Sequence, residues 1–409
     1  MDPWRPIQFM QGRSLVAPAM QSRSSATDSP VAVTPEVRAL LAKDCVVAIG
    51  VSGGKDSDAC AIATTRYLDQ IGHAGPRVLI HADLGRVEWR DSLPSCERLA
   101  KAIGWDLMVV SRKAGDMLSR WEGRWANNVA RYADLQCVKL ILPWSTPSMR
   151  FCTSELKVDV ITAALKKRYP GQEIVNVAGI RRQESAARSK MPVSAPMAKL
   201  SRKGIIGLSW NPIIEWDLSQ VFRTIAGAGL TLHEAYTRYG ASRVSCAFCI
   251  MSAAADLAAA ASCADNHDLY VRMVELEAVS TFAFQGNRWL ADVAPSLLPA
   301  EIREHIELAK VAATERQAME AMLPGHLLYT AGWPTSVPTH AEASLIARVR
   351  RRVSSLVGID ARHVTPDAVS ARYADLLARR GQREGGAVGS ARMYTPDLFS
   401  EIANREILL

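Results

Sequence analysis

The sequence predicts an α/β fold built on a doubly wound parallel sheet, and three observations carry that prediction. Short apolar runs at 46–51, 77–82, 107–111 and 174–178 alternate with amphipathic stretches at 57–71, 91–103 and 155–168. Strands alternating with helices imply a parallel sheet covered by helices on both faces. The first run is cut sharply by Ser52-Gly53-Gly54, and from Ser57 onward Ala59, Ala61 and Ile62 lead in helical spacing towards Tyr67 and Leu68. Finally, each segment bearing reactive or charged side chains falls just after one of these runs or in a loop able to cover that edge. Sheets of this kind bind ligands at the carboxyl ends of their strands.

The first strand–helix junction is the most informative. A parallel strand feeding a helix through glycines leaves free backbone N–H groups at the positive end of the helix dipole, an anion site suited to phosphate. A Cβ there would hold the backbone away from the phosphate oxygens. The spacing excludes a Walker A loop, because only three residues separate Gly50 from Gly54 and Asp56 follows Lys55. A dinucleotide fingerprint is excluded too, since no G-x-G-x-x-G is present. Ser52-Gly53-Gly54-Lys55-Asp56-Ser57 instead resembles the pyrophosphate loop (PP-loop) of ATP pyrophosphatases, which split ATP between its α and β phosphates.

Bulk properties narrow the class. The chain has 409 residues, of which 48% are hydrophobic and 22% charged, as expected of a globular protein with at least one large core and two or three domains. No apolar stretch approaches the about 18 residues that span a bilayer. The N-terminus lacks a signal peptide's layout. A cytoplasmic location with no membrane partner is therefore expected. Eight cysteines are too few for a dense disulfide framework and point to metal or redox chemistry where they cluster. The net charge of +8 is uneven: residues 181–203 hold seven basic side chains against Glu184 alone, which suggests a polyanionic ligand.

Residues 1–34, rich in Ser, Pro and Ala, read as a flexible tail. The α/β domain covers 35–240, a cysteine-bearing segment 241–263, and a helical C-terminal region without cysteine 264–409. Residues 216–240 read as helical, with Asp217 as N-cap and Gln220 three residues on. Thr365-Pro366-Asp367 and Thr395-Pro396-Asp397 each read as a helix start, and 381–390, with four glycines, as a linker.

Several side-chain groups could serve chemistry. Asp83 ends the second strand and could hold Mg²⁺, which needs only one or two carboxylates beside phosphates; Asp56 is another candidate. Asp58 reads as a solvated first-turn residue that complements the helix dipole. In Arg150-Phe151-Cys152-Thr153-Ser154-Glu155-Leu156-Lys157, Thr153 or Ser154 reads as a helix cap, with Arg150 and Lys157 flanking the entrance. Both the arginine and the helix end would favour a Cys152 thiolate. Arg181, Arg182 and Arg188, after the strand at 174–178, could grip phosphate or sulfate oxygens. The basic stretch that follows, interrupted by Pro192 and Pro196, reads as a lid over a charged substrate or a track for a nucleic-acid backbone.

Cys246-x-x-Cys249 is followed by Cys263, and with Cys152 these four thiolates could hold a 4Fe–4S cluster or a zinc ion. A reduced or redox-active pair is the open alternative. Trp121 and Trp125, four residues apart, read as packing residues rather than base-stacking ones. The run Arg348–Arg352 reads as a solvated helix face, with nucleic-acid contact the minority reading; residues 340–384 count nine arginines against five acids.

The segments at 150–157 and 179–188, together with the loop at 52–57, Asn211-Pro212, Trp216 and Cys246-x-x-Cys249, resemble the phosphoadenylyl-sulfate (PAPS) reductase-like family of PP-loop ATP pyrophosphatases. The resemblance implies an adenine nucleotide α hydrolase-like fold with a five-stranded parallel sheet, ATP with Mg²⁺ as cofactors, and Lys55, Asp56, Arg181, Arg182 and Cys152 as catalytic candidates. Ser52, Gly53, Gly54, Ser57, Asp83, Arg150, Lys157 and Arg188 would complete the nucleotide site. The reductases resemble one another in a catalytic cysteine near the C-terminus, and here none follows Cys263. The chain is therefore closest in kind to the DNA phosphorothioation ATP pyrophosphatases. That implies adenylation of an acceptor, with nucleic acid or a sulfur-donor protein as partner. A sulfonucleotide reductase and a non-catalytic nucleotide- or DNA-binding protein are the alternatives.

Overall fold

A computed structural model describes residues 29–386. The strands are β1 (Val46–Gly50), β2 (Arg77–Asp83), β3 (Asp106–Ser111), β4 (Ile174–Ala178), β5 (Ser194–Pro196) and β6 (Gly207–Trp210). They form one six-stranded sheet in the order β3-β2-β1-β4-β6-β5. The pairs β2–β3, β1–β2, β1–β4 and β4–β6 are parallel; β5 alone is antiparallel, on the edge beside β6. The five parallel strands match the expectation. The sixth was missed because its three residues include Pro196, which lacks an N–H donor and tolerates only an edge position.

The helices are α1 (Pro35–Leu41), α2 (Lys55–Gln70), α3 (Ser92–Ile103), α4 (Met117–Ala133), α5 (Phe151–Thr153), α6 (Asp159–Arg168), α7 (Ala186–Ser189), α8 (Leu218–Gly227), α9 (Glu234–Thr237), α10 (Ala254–Ala261), α11 (His267–Ser280), α12 (Ala300–Ala321), α13 (His340–Val357) and α14 (Pro366–Gly386). Apolar residues of α1, α2, α3 and α8 pack on one face of the central strands through Val47, Ile49 and Val175. Leu165 and Tyr169, at the end of α6, pack on the other face through Val46, Ala48 and Ile174. This two-sided burial explains why β1 reads as an uninterrupted apolar run. A further core joins Leu84, Val87, α4 and Phe151 to Phe248 and to α11, α13 and α14. The C-terminal helices thus roof the segments that leave the sheet's carboxyl edge. Among the described residues no helix is long and apolar enough to cross a membrane.

Four local expectations are corrected. The chain is pinned from Pro30 onward: Trp216 Nε1 donates to the Pro30 carbonyl (2.9 Å) and Trp210 Nε1 to that of Ala32 (2.7 Å), while Thr34 caps α1. The rest of the expected tail lies outside the described residues. The 216–240 stretch does start with the Asp217–Gln220 capping box, but α8 ends at Gly227 and helix resumes only in α9. Thr365 accepts the Ala368 N–H at the start of α14, and that helix continues through 381–386, where a linker was expected. The second such helix start, at 395–397, lies outside the described residues. Finally, Arg350 is fully buried rather than solvated. Its guanidinium donates to the carbonyls of Tyr132 (2.9 Å), Ala133 (3.2 Å), Arg362 (2.6 Å) and His363 (3.2 Å). Arg352 pairs with Glu315 on the surface.

Candidate active site

The strand order reverses between β1 and β4, which makes the crevice beyond their carboxyl ends the expected ligand site. Both neighbouring loops are built for close approach. After β1, Gly53 takes φ +73°, and a Cβ there would lie 3.0 Å from the Ser92 carbonyl oxygen and 3.1 Å from His233 Cδ2. After β4, a Cβ on Gly179 would come within 2.4 Å of the Asp56 carbonyl oxygen. Only glycine fits at either place: Gly53 lies against Ser92, Ser95 and His233, and Gly179 brings the loop after β4 main chain to main chain with Asp56 and Ser57. Residues 52–57 then enter α2 with Gly54 as a cap that offers no side chain, leaving the helix N-terminus to be satisfied from outside.

Lys55 and Asp56 lie at the centre of a small ionic network. Asp56 accepts from Arg181 Nε at 2.6 Å and lies 3.5 Å from Lys55 Nζ, and both Lys55 and Arg181 are buried. Lys55 Nζ also donates to the Ser242 carbonyl at 3.0 Å. Ser242 is itself held by buried Asp256, which accepts from its N–H (2.7 Å) and its hydroxyl (2.9 Å). The Tyr236 hydroxyl accepts from the Lys55 N–H at 3.2 Å and the Val244 N–H at 3.0 Å, and the Lys55 ammonium sits 5.0 Å from the Tyr236 ring centre. The cysteine-bearing segment is thereby tied to the phosphate loop. No short motif announces Tyr236 or Ser242 in the sequence; only folding brings them to the loop. Replacing Tyr236 with Phe strands two main-chain donors and should lower the unfolding free energy by about 1–3 kcal/mol in urea titration. An unchanged midpoint would refute the tie.

Asp58, expected in solvent, is buried against the neighbouring helix. Burial pushes its carboxyl up to about 7, opposed by the Ser57 hydroxyl and the charge of Arg98. A raised carboxyl pKa means the folded state holds its proton more tightly than the unfolded one. Its contribution is therefore favourable at low pH and lost as pH rises from about 4 to about 7. Asp58→Asn should remove that loss, making the variant more stable than the parent by about 1–2 kcal/mol at pH 8 but not at pH 4. Equal differences at both pH values would contradict the assignment.

Asp83 ends β2, three residues beyond Ile80, which pairs with Gly50 at the end of β1. Its Oδ1 accepts from the Gly85 N–H at 2.7 Å. Behind the loop, buried His81 bonds the Val51 carbonyl and Glu88 Oε2, each at 3.0 Å. Burial opposes its charge, but the Cys96 sulfur and the Glu88 carboxylate push its pKa up to about 10.

The predicted arginines divide. Arg181 reaches the loop, whereas Arg182 donates to Glu215 (2.8 Å) and the Ser189 carbonyl on the surface, and Arg188 pairs with Glu184. The reading of the following basic stretch as a lid is corrected by topology. β5 runs antiparallel to β6, so 197–206 returns to the sheet's amino edge, where Ile174 N–H donates to the Ile206 carbonyl. Near that edge Arg202 donates to the Lys166 carbonyl at 3.1 Å, while Lys199 reaches Asp159 at the start of α6 at 2.6 Å. That edge faces away from the phosphate loop.

Helix begins at Phe151 rather than after Thr153 or Ser154, with Arg150 in the cap position and bonded to Thr153 Oγ1 at 3.4 Å. Residues Ser154–Val158 form a π-helical turn before α6, an irregularity frequent at functional sites. Beside it, Arg120 binds Glu155 in a two-pronged pair (2.7 and 2.9 Å) and stacks 4.6 Å from the Phe151 ring centre. Trp121 and Trp125 are buried core, as expected. Cys246 lies close enough to Cys249, Lys157 and Cys152 for their charges to act on its thiol, which burial pushes well above its ordinary range. Cys263, by contrast, is buried in the core that joins α4 to the C-terminal helices. Among the described residues no three His, Cys, Asp or Glu side chains gather as a metal site. The four thiols as placed do not fit a 4Fe–4S cluster or zinc.

Comparison with known proteins agrees with this geometry at the level of the domain. Two solved structures show a distant likeness. A phosphoadenylyl-sulfate (PAPS) reductase from Candida auris, in a phosphate complex, is 14% identical with TM-score 0.31, over 49% of this chain and 80% of that one. The U34-tRNA thiolase NcsA from Methanococcus maripaludis, with its 4Fe–4S cluster, is 13% identical with TM-score 0.27, over 64% of this chain and 86% of that one. Likenesses this weak say nothing of substrate. No curated protein matches the sequence. The phosphoadenosine phosphosulfate reductase domain matches residues 46–252, half of the chain and the whole of the loop-bearing sheet, and the chain belongs to that family.

Proposed function

We propose that the chain is an ATP pyrophosphatase that adenylates a nucleic-acid acceptor, releasing pyrophosphate and preparing that acceptor for sulfur transfer. The observation that carries the reading is the Ser52–Ser57 loop: six residues with glycine at the one position whose backbone and neighbours demand it, set at the point where the strand order reverses. Pyrophosphate oxygens would be held by the loop's N–H groups and the Lys55 ammonium. An acceptor oxygen attacks the α phosphorus, its bond to the bridging oxygen breaks, and pyrophosphate leaves with that electron pair. The chain's contribution is positioning and charge neutralisation. Arg181 is a positioning residue here, since it holds Asp56 and through it the start of α2. Asp83 fits a magnesium ion, whose supply of charge to the leaving phosphates needs only one or two carboxylates from the protein.

The family to which the chain belongs also supports a second reading, reduction of a sulfonucleotide to sulfite. The absence of any cysteine after Cys263 weighs against it. Pyrophosphate release from ATP, measured with DNA, with tRNA and with neither, tests the first reading; silence with every acceptor overturns it. Sulfite formed from phosphoadenylyl sulfate would establish the second.

A further inference from the structure

Away from the sheet edge, the end of α4, the turn at 332–333 and one face of α14 enclose a cleft of about 490 Å³. Arg131, Gln136, Trp333, Arg372, Arg379 and Gln382 line it, and no carboxylate does. Four of these six lie beyond residue 252, so the family's domain alone does not form the cleft. We propose that this cleft binds a nucleoside monophosphate unit of a single-stranded nucleic acid.

The chemistry of the wall selects that class. Guanidiniums alone would suit any phosphate or carboxylate. An indole and the Gln382 carboxamide beside them add an aromatic surface and hydrogen-bonding groups for a base edge, and the Gln136 amide, whose nitrogen donates to Asp134 at 2.8 Å, offers its oxygen. The volume falls within the range of small-ligand pockets. Arg372 is preorganised rather than loose: it is mostly buried and donates to Asp134 Oδ2 at 2.7 Å and Asp375 Oδ2 at 2.6 Å. These pairs partly neutralise Arg372, so the free positive charge of the wall rests on Arg131 and Arg379 and on the cations that share the two acids. Asp134 is shared with Arg362 (3.0 Å) and His363 (3.5 Å), and Asp375 with Arg379 (2.9 Å). Arg379 keeps 61% of its side chain exposed, within reach of a phosphate arriving from solvent.

The position also suits a strand. The other end of α4 begins beside the carboxyl edge, where Asp116, its N-cap, pairs with Arg86 just past β2. From Met117 to Arg131 the helix rises about 21 Å at 1.5 Å per residue. A strand of a few nucleotides spans that distance, so a chain held in the cleft can present another of its units at the phosphate loop. The proposal rests on the nucleic-acid reading of the acceptor.

The test is fluorescence anisotropy of the full chain with labelled single-stranded DNA and RNA 12-mers, with AMP as an unlabelled competitor. Arg379→Glu and Trp333→Leu should each weaken strand binding by ten-fold or more. Arg379→Glu should also flatten the dependence of log affinity on log salt by about one phosphate contact. Gln382→Ala, an exposed substitution, stands in if Trp333→Leu fails to fold. Strand binding by the parent chain with unchanged affinity and salt slope in the variants overturns the cleft and leaves the acceptor reading standing. Absence of strand binding by the parent, with pyrophosphate released to a small-molecule acceptor, overturns both. Variant-sensitive binding of AMP but of neither strand would assign the cleft to a free nucleotide and reject the polymer.

Discussion

Replacing Lys55 and Ser57 together with alanine is expected to lower pyrophosphate release from ATP by about two to three orders of magnitude, the scale of losing a preorganised charge donor at a reacting centre. The effect should appear in turnover and in nucleotide affinity, because both groups would meet phosphates in the ground state as well as in the transition state. Folding is the competing explanation and can be separated. Lys55 is a buried cation whose loss frees the Ser242 carbonyl and leaves Asp56 paired with Arg181, while the Ser57 hydroxyl turns back on the Gly54 carbonyl at 2.7 Å and reaches Asp58 Oδ1 at 3.4 Å. None of these contacts organises a core, so the melting temperature should move by only a few degrees while activity collapses. Unaltered affinity and turnover in a folded double variant would exclude the loop as the phosphate site.

The parts of this architecture legible in the sequence were those set by local pattern. β1, β2, β3 and β4 announced themselves because each is a short apolar run followed by a turn. Gly53 could be placed because its need is a left-handed backbone conformation, which the residue type itself reports. Features depending on distant partners were not legible. Nothing near Asp58 in the chain shows that α3 will cover it, so a first-turn acid was read as solvated. Arg348–Arg352 looked like a surface run because no local pattern reveals that four carbonyls wait for Arg350. Spacing likewise put Arg181 and Arg182 in one group. Successive residues in extended chain project oppositely, and only the first faces Asp56. The cysteines pose the same difficulty: whether Cys152 meets Cys246, Cys249 and Cys263 is a tertiary matter, and spacing does not report that the first three approach one another while Cys263 is buried in the core.

Arg181→Ala should be the most damaging single substitution near the site, and a second substitution can separate its two effects. Removing the guanidinium leaves Asp56 with Lys55 as its remaining cation, 3.5 Å away. Breaking a buried pair from one side typically costs about 3–5 kcal/mol. Because the Asp56 side chain keeps some contact with solvent and with Lys55, the expected loss is nearer about 2–3 kcal/mol. Adding Asp56→Asn removes the uncompensated charge and should restore most of that stability. Activity should not return, because the start of α2 is no longer held against the loop after β4. Recovery of turnover along with stability would mean that the Arg181–Asp56 pair serves folding alone. Stability regained without turnover would leave it as the device that sets the phosphate loop in register with its neighbour.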